Sequence, residues 1–417
     1  MEKPMNFQIR DFGPIKEANF KIGKINVIGG HNATGKSSAS KLLYCFLKAG
    51  CNKRQDFAYE SITSSLISLT RSLKQERHER YKLRNMDFSE LLDEYEQSKE
   101  EYLSSEEHNQ NKFINDDIEL MDDFLDEVQK NNDLFYLSML RNLLRIEFKN
   151  NNFNGEISFS EESDENLVHL DSLLSHSFDM FQKIKPECYL DIYDVFYMDS
   201  LSLLDLNSRM NSRFRLRRLN YYDHIDYLLL ILKDSEDSHA DMLEDRNSLL
   251  KSTEEKIKKI INGQIEFNNN KFTYVSKNSE TCAMEDTASG IKQIGIVQLL
   301  LSNYKLKKDS FLIIDEPEVN LHPEWQIKFA EILVLLAKEL NITIYINTHS
   351  PMFIEAMSLY SEYYDLLDDT FVYLTEKYCE GFRFKQINPK DMGAVYENLS
   401  RPYDDLDDIK SSIILNK

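Results

Sequence analysis

Cysteine is scarce in this 417-residue chain: there are five, at positions 45, 51, 188, 282 and 379, and no two form a C-x-x-C pair. That argues against a zinc site and a disulfide framework, and fits a reducing compartment. Glycine (12) and proline (8) are also few, and nowhere do they gather into a linker. No internal repeat is visible, so the parts of the chain are expected to pack together rather than hang on tethers. Long apolar runs are missing: stretches such as Leu228 to Leu232 are far too short to cross a bilayer. The start, Met1-Glu2-Lys3-Pro4-Met5-Asn6, has no signal-peptide character. These absences predict a soluble, cytoplasmic protein without a membrane partner. Positive charge is the last shortage: Lys+Arg is 50 against Asp+Glu 71, a formal net charge of -21. So acidic a surface repels nucleic acid on average, and any DNA contact needs a local basic patch. The one dense candidate is Arg209, Arg213, Arg215, Arg217 and Arg218. It can serve DNA phosphates, a dimer mate or an effector; the alternative is internal pairing with acidic neighbours.

What is present centres on Gly30-His31-Asn32-Ala33-Thr34-Gly35-Lys36-Ser37, which fits G-x-x-x-x-G-K-[ST] at every fixed position. Lys24 to Gly29 before it reads as a short buried strand, and Ser38 to Leu47 after it as a helix with an apolar face. Strand, glycine loop and helix start are the context the motif requires. Gly30 and Gly35 permit a tight loop with inward N–H groups, and the helix N-terminus adds its dipole for triphosphate oxygens. Lys36 would reach the β- and γ-phosphates, and Ser37 would ligate Mg²⁺. Asn32 and Ser38 belong to the same nucleotide-binding stretch.

A second strand, Phe311-Leu312-Ile313-Ile314, ends in the adjacent carboxylates Asp315 and Glu316. Four apolar residues in a row suit a strand buried on both faces. Asp315 can hold Mg²⁺ or its water shell, and Glu316 can orient or deprotonate an attacking water. A third strand, Ile342 to Ile346, ends in Asn347-Thr348-His349-Ser350-Pro351, where His349 can hydrogen-bond the γ-phosphate or the water. Ser289-Gly290 opens an amphipathic helix carrying Ile294, Val297, Leu300 and Leu301. It reads as a second anion-binding helix start or as an ordinary N-cap. Elsewhere, Ile146 to Lys149 and Glu156 to Phe159 are expected to form a hairpin, with Ser160 to Asn166 as acidic loop. Gln264 to Val275 reads as another hairpin, and Phe371 to Leu374 and Gly381 to Gln386 as strands.

P-loop, Ser-Gly before a helix, Asp-Glu strand end and strand-end histidine, in this order, resemble the ABC-type ATPase superfamily. More closely, Phe12-Gly13-Pro14-Ile15, His31-Asn32, Ser289-Gly290-Ile291-Lys292-Gln293, Asp315-Glu316-Pro317-Glu318 with Leu321-His322-Pro323, and Thr348-His349-Ser350-Pro351 resemble its SMC/RecF-like, OLD-type branch. That branch includes AAA family ATPases of bacterial anti-phage defence. The likeness covers residues 5–50 and 260–355 and departs at Ala33, where a glycine is usual. No Q-loop glutamine is evident, and the strand ending at Asp199-Ser200 is the candidate for that slot.

The resemblance implies an α/β P-loop NTPase: an ABC-type ATPase head with a mixed sheet and flanking helices, carrying a charged, mostly helical insertion. The expected division is 1–50 (N-terminal lobe with the P-loop), 51–185 (helical insertion with a hairpin), 186–284 (a strand, the Arg-rich segment and helices) and 285–417 (C-terminal lobe). It implies ATP and Mg²⁺ as cofactors. Lys36, Ser37, Asp315, Glu316 and His349 would face nucleotide from one subunit, and Ser289 and Gly290 from the opposite one, in a homodimer or higher oligomer. OLD-type nucleases carry a Toprim domain, and no glutamate followed by a spaced Asp-x-Asp stands in the tail here. The expected role is an ATP-sensing subunit controlling a separate nuclease or toxin; the alternative is a DNA-repair or chromosome-maintenance ATPase that clamps DNA directly.

Overall fold

The computed structural model describes residues 5–51, 54–73, 86, 88–105, 132–148, 155–161, 164–169, 192–199, 223–233, 248–268 and 271–399, with isolated positions at 114–115, 118–119, 121–122, 125, 204, 409–410 and 412–413. The Arg209–Arg218 run and the tail from Pro402 to Leu406 lie outside the described residues.

The chain opens with β1 (Met5–Phe12) and β2 (Ile15–Ile22), antiparallel about Gly13-Pro14, then β3 (Ile25–Gly29), the P-loop and α1 (Lys36–Gly50). Charged helices follow, among them α2 (Arg54–Ser72), α3 (Phe88–Leu103) and α4 (Asn132–Phe148). Next come β4 (Glu156–Glu161), β5 (Asp164–His169), β6 (Val195–Met198), α5 (His224–Lys233), α6 (Ser248–Ile260), β7 (Gly263–Asn268), β8 (Lys271–Ser276) and β9 (Thr281–Ala283). The remainder is α7 (Ser289–Ser302), β10 (Phe311–Asp315), α8 (Pro323–Leu340), β11 (Thr343–Thr348), α9 (Pro351–Tyr363), β12 (Thr370–Tyr378), β13 (Gly381–Ile387) and α10 (Met392–Leu399). Among the described residues no helix is long and apolar enough to cross a membrane.

Ten of these strands form one mixed sheet in the order β5-β4-β1-β2-β13-β12-β3-β11-β10-β6. From β12 to β6 neighbours run parallel, and β3, β11, β10 and β6 are buried along their whole length. Burial on both faces explains why they read as continuous apolar runs rather than alternating ones. A separate sheet, β7-β8-β9, packs through β7 on α7: Ile265 N donates to Gln298 Oε1 at 2.7 Å.

Below α1 the large sheet presents an aromatic layer. Phe20 meets Tyr345, Tyr373 and Phe384 edge-on at 6.1, 5.2 and 5.3 Å, and Phe7 and Tyr197 meet Phe46 and Tyr44 of α1. Edge-to-face pairs of this kind add about 0.5–1.5 kcal/mol each beyond area burial.

The structure corrects one expectation. Ile146 to Phe148 are not a strand but the last turn of α4, whose stripe of Met139, Leu140, Leu143 and Leu144 is buried, with α4 packed on α1. The hairpin forms one step later, between β4 and β5, from Glu156↔His169 to Glu161↔Asp164. Much of the stretch expected as loop is therefore strand. β4 has a partner waiting in the open edge of β1, and Ile157 lies opposite Ile9.

The end of α1 is tied to β6 by a buried charge pair. Lys48 pairs with Asp194, and neither side chain is more than 5% exposed. Asp194 also accepts from Val195 N at 2.7 Å and from Tyr227 Oη at 2.6 Å, and the Lys48 ammonium lies 3.5 Å from the Tyr227 ring centroid. Removing one member strands a charge in the core, which costs about 3–5 kcal/mol. Lys48→Ala should therefore lower the urea midpoint sharply with little change in slope. A midpoint within error of wild type would show that Asp194 finds other compensation.

Candidate functional site

Because β3, β11 and β10 are parallel neighbours, their carboxyl ends lie side by side. Thr348 is opposite Gly29, and Asp315 is opposite Asn347. Open α/β sheets bind ligands at such edges. The three stretches singled out from the sequence thus converge, although nearly 300 residues separate the first from the other two.

The P-loop is held by two tight approaches. A Cβ on Gly30 would sit 1.9 Å from Thr375 Oγ1 of β12. Gly35, the N-cap of α1, has φ +96°, and a Cβ there would sit 2.6 Å from Ile15 Cγ1. Ala33 has φ 60° without being glycine. The left-handed region costs an L-residue roughly 1–2 kcal/mol, which gives the usual glycine at this position a physical reason.

Lys36 is buried and donates to Gly30 O (2.9 Å) and His31 O (2.8 Å). Burial lowers its pKa to about 8, against the pull of Asp315, Glu316 and Glu318. His349 Nε2 lies 3.2 Å from Lys36 Nζ and 3.0 Å from Glu316 Oε1. One nitrogen cannot accept from the first and donate to the second in a single protonation state. Glu318 Oε1 accepts from His349 N (2.5 Å) and Ser350 N (3.2 Å), which fixes the loop between β11 and α9. Glu316 itself has φ 56°, with its N–H donating to Asn347 O at 2.8 Å.

Asp315 is buried beneath this layer. Asn347 Nδ2 donates to its Oδ1 at 3.0 Å and Tyr197 Oη to its Oδ2 at 3.3 Å. Asn347 Nδ2 also donates to Ser40 Oγ, which pairs with Tyr197 Oη, both at 2.9 Å. Burial raises the Asp315 pKa, Ser37 and Asn347 hydrogen bonds hold it down, and Asp199 and Glu316 push it up again.

Above lies a cleft of about 380 Å³ lined by His31, Asn32, Glu316, His349 and Leu399. His31 Nε2 donates to Asn398 O at 2.9 Å, so α10 closes one wall. Ser37 is exposed at the start of α1 and Ser38 half-buried. Ser289 and Gly290 are not in the cleft lining; they open α7, with Gly290 under Leu321. Asp199 follows β6, next to β10, in the slot considered for a Q-loop.

Sequence reasoning passed over Ser40, Tyr197, Asn347 and Glu318 as site residues. A polar Asn347 in an apolar strand and Ser40 one turn after Ser37 were available signals. Tyr197 had none, since only strand pairing brings β6 beside β10.

A P-loop joined to an Asp-Glu strand end and a strand-end histidine on one mixed sheet with flanking helices is the fold of a P-loop NTPase. The chain belongs to the AAA ATPase domain family, whose model matches residues 5–354. No curated protein matches it in sequence. Among solved structures it is similar to an SMC head bound to the C-winged helix domain of ScpA, at 12% identity, 93% of this chain, 98% of that chain and TM-score 0.43. It is also similar to the SMC head domain from Thermotoga maritima (8% identity, 92% and 99% covered, TM-score 0.35). A third is the ADP conformation of an ATP-binding cassette of an ABC transporter (9% identity, 96% and 98% covered, TM-score 0.38). Scores this low leave the fold resting on strand order and P-loop geometry.

Relieving the Ala33 backbone tests the strain directly. Ala33→Gly should raise stability by about 1 kcal/mol, read as a higher denaturation midpoint. A lower midpoint would mean that the chain entropy of glycine outweighs the relief.

Proposed function

We propose that the protein binds Mg²⁺–ATP in this cleft and hydrolyses it slowly, as a nucleotide-bridged dimer that regulates a separate effector. The observation that carries the reading is the convergence of Lys36, Asp315 and the Glu316–His349 pair at three adjacent strand ends.

The donors suit a hard divalent cation. Asp315 offers a buried carboxylate and Ser37 a hydroxyl, both oxygen ligands of the kind Mg²⁺ takes. Asn347 Oδ1 is buried with no hydrogen-bond partner beside them. Ser37 and Asp315 would hold the ion, and when bound it neutralises charge on the phosphates. Gly30, Asn32, Gly35 and Ser38 would present the loop and helix start to phosphate oxygens. Lys36 would exchange its two loop carbonyls for phosphate oxygens in contacts worth roughly 1.5–3 kcal/mol. Glu316 would take a proton from water, and His349, in contact with it at 3.0 Å, would orient Glu316 or contact the γ-phosphate.

By the sequence resemblance, Ser289 and Gly290 at the start of α7 would serve the cleft of a second copy in a two-fold dimer. The sequence resemblance to anti-phage ATPases and the net charge of -21 favour a protein effector, a nuclease or toxin, over bulk DNA contact. The Arg209–Arg218 run favours the second reading, a DNA-clamping ATPase. DNA binding with a steep salt slope would select it.

Two measurements test the core reading. Lys36 holds its proton below about pH 8 and loses it above. ATP affinity should therefore be level below pH 8 and fall close to tenfold per pH unit above it, while Lys36→Arg stays flat. A flat wild-type profile from pH 7 to 9.5 would remove Lys36 from phosphate binding. Glu316→Gln keeps the shape but cannot accept a proton. It should retain ATP, accumulate dimers by light scattering and release almost no phosphate. Turnover at the wild-type rate would exclude Glu316 as the base.

A further inference from the structure

His224, at the first turn of α5, is used by none of the steps above, yet it is the most heavily partnered buried imidazole in the described chain. Its side chain is 4% exposed. Both oxygens of Glu147, a 1% exposed carboxylate in the last turn of α4, are committed to it: Oε1 accepts from His224 N at 2.7 Å and Oε2 lies 2.6 Å from Nδ1. With Nδ1 donating to Glu147, the other nitrogen faces Asp199 Oδ2 at 3.7 Å. That Nε2 is buried and has no hydrogen-bond partner. The imidazole ring packs on Tyr197 at 4.6 Å and on Tyr44 at 6.2 Å. Tyr197 in turn donates to Asp315.

Asp199 stands one residue beyond the Ile314↔Met198 pair, so it is level with Asp315 at the cleft edge. It is 23% exposed, and its charge acts on Asp315. One imidazole therefore touches a helix of the insertion on one side and two residues flanking the cation carboxylate on the other.

We propose that His224 is a positioning residue of the nucleotide site: it holds Tyr197 and Asp199 against Asp315 and couples both to the insertion through Glu147. The proposal rests on the reading of the cleft as an ATP site. Burial opposes charge on the imidazole, but Asp199 and Glu147 outweigh it and push the pKa up to about 9. The ring thus sits as a cation between two carboxylates at neutral pH. A displacement of α4, the insertion helix packed on α1, would move Glu147, and with it the ring and Asp199. A partner that binds the insertion would then have a direct route to the hydrolytic site.

The test is a double-mutant cycle on the full chain with Glu147→Gln and Asp199→Asn, reading ATP affinity by titration calorimetry and hydrolysis by single turnover. Each single variant should keep ATP affinity within about twofold and slow the single-turnover rate about tenfold or more. The double variant should be no slower than the slower single, because both cut the same link. Glu147→Gln at the wild-type rate, or losses that multiply in the double variant, would overturn the proposal. A uniform loss of ATP affinity and rate together would mark a purely structural role and overturn it as well. Denaturation midpoints establish that the variants compared are folded; His224→Ala is avoided because it strands the buried Glu147 carboxylate. Lys36→Ala in the same assay separates the two readings: if it leaves ATP affinity unchanged, the nucleotide site itself is wrong, whatever the cycle shows.

Discussion

Asp315 carries a carboxyl group almost out of water, and much of the surrounding structure can be understood from the need to satisfy it. A buried carboxylate is costly unless hydrogen-bonded. Here the bonds come from neutral groups on three different elements: Asn347 on β11, Tyr197 on β6 and Ser37 at the start of α1. They reach it only because β6, β10 and β11 run parallel in one register. A slip of one residue would turn each side chain to the opposite face and strip the carboxylate of its partners. These partners satisfy the carboxyl oxygens without carrying a charge of their own.

The layer above balances charge differently. Lys36 lies among Asp315, Glu316 and Glu318, and His349 spans Lys36 and Glu316. Two non-glycine residues at positive φ, Ala33 and Glu316, fall in the two loops that face each other across this layer. Strain of that kind persists where surrounding contacts over-determine the backbone. For Glu316 the N–H bond to Asn347 O supplies such a contact and directs the side chain toward His349.

The described part of the stretch expected as an insertion is built into the main sheet and its flanking helices rather than appended to them. β4 extends the main sheet from β1, α4 packs on α1, and Glu147 reaches the α5 imidazole beside Tyr197. Buried ion pairs at Lys48–Asp194 and Glu147–His224 join segments remote in sequence. Such pairs add little net stability over apolar packing, but they penalise every arrangement that separates their members. They therefore fix α1 against the start of β6 and α4 against α5.

The local sequence was enough to predict the P-loop, the two apolar strands with their polar ends, the Ser-Gly helix start and the hairpin at 264–275. Each rests on short-range chemistry: glycines for a tight loop, a continuous apolar run for a strand buried on both faces, an asparagine-rich turn. Gly30, Lys36, Asp315, Glu316 and His349 lie close together in the structure. Three things were decided only by tertiary structure. Residues 146–148 are helix, because the apolar stripe of α4 buries against α1 and the edge of β1 recruits β4 instead. Tyr197, Ser40 and Asn347 became partners of Asp315 through strand order, which no local spacing encodes. Glu147 and His224, 77 residues apart, met because each had a buried charge to satisfy. Pairings of that sort arise from the scarcity of polar partners in a packed interior, and that scarcity exists only once the chain has folded.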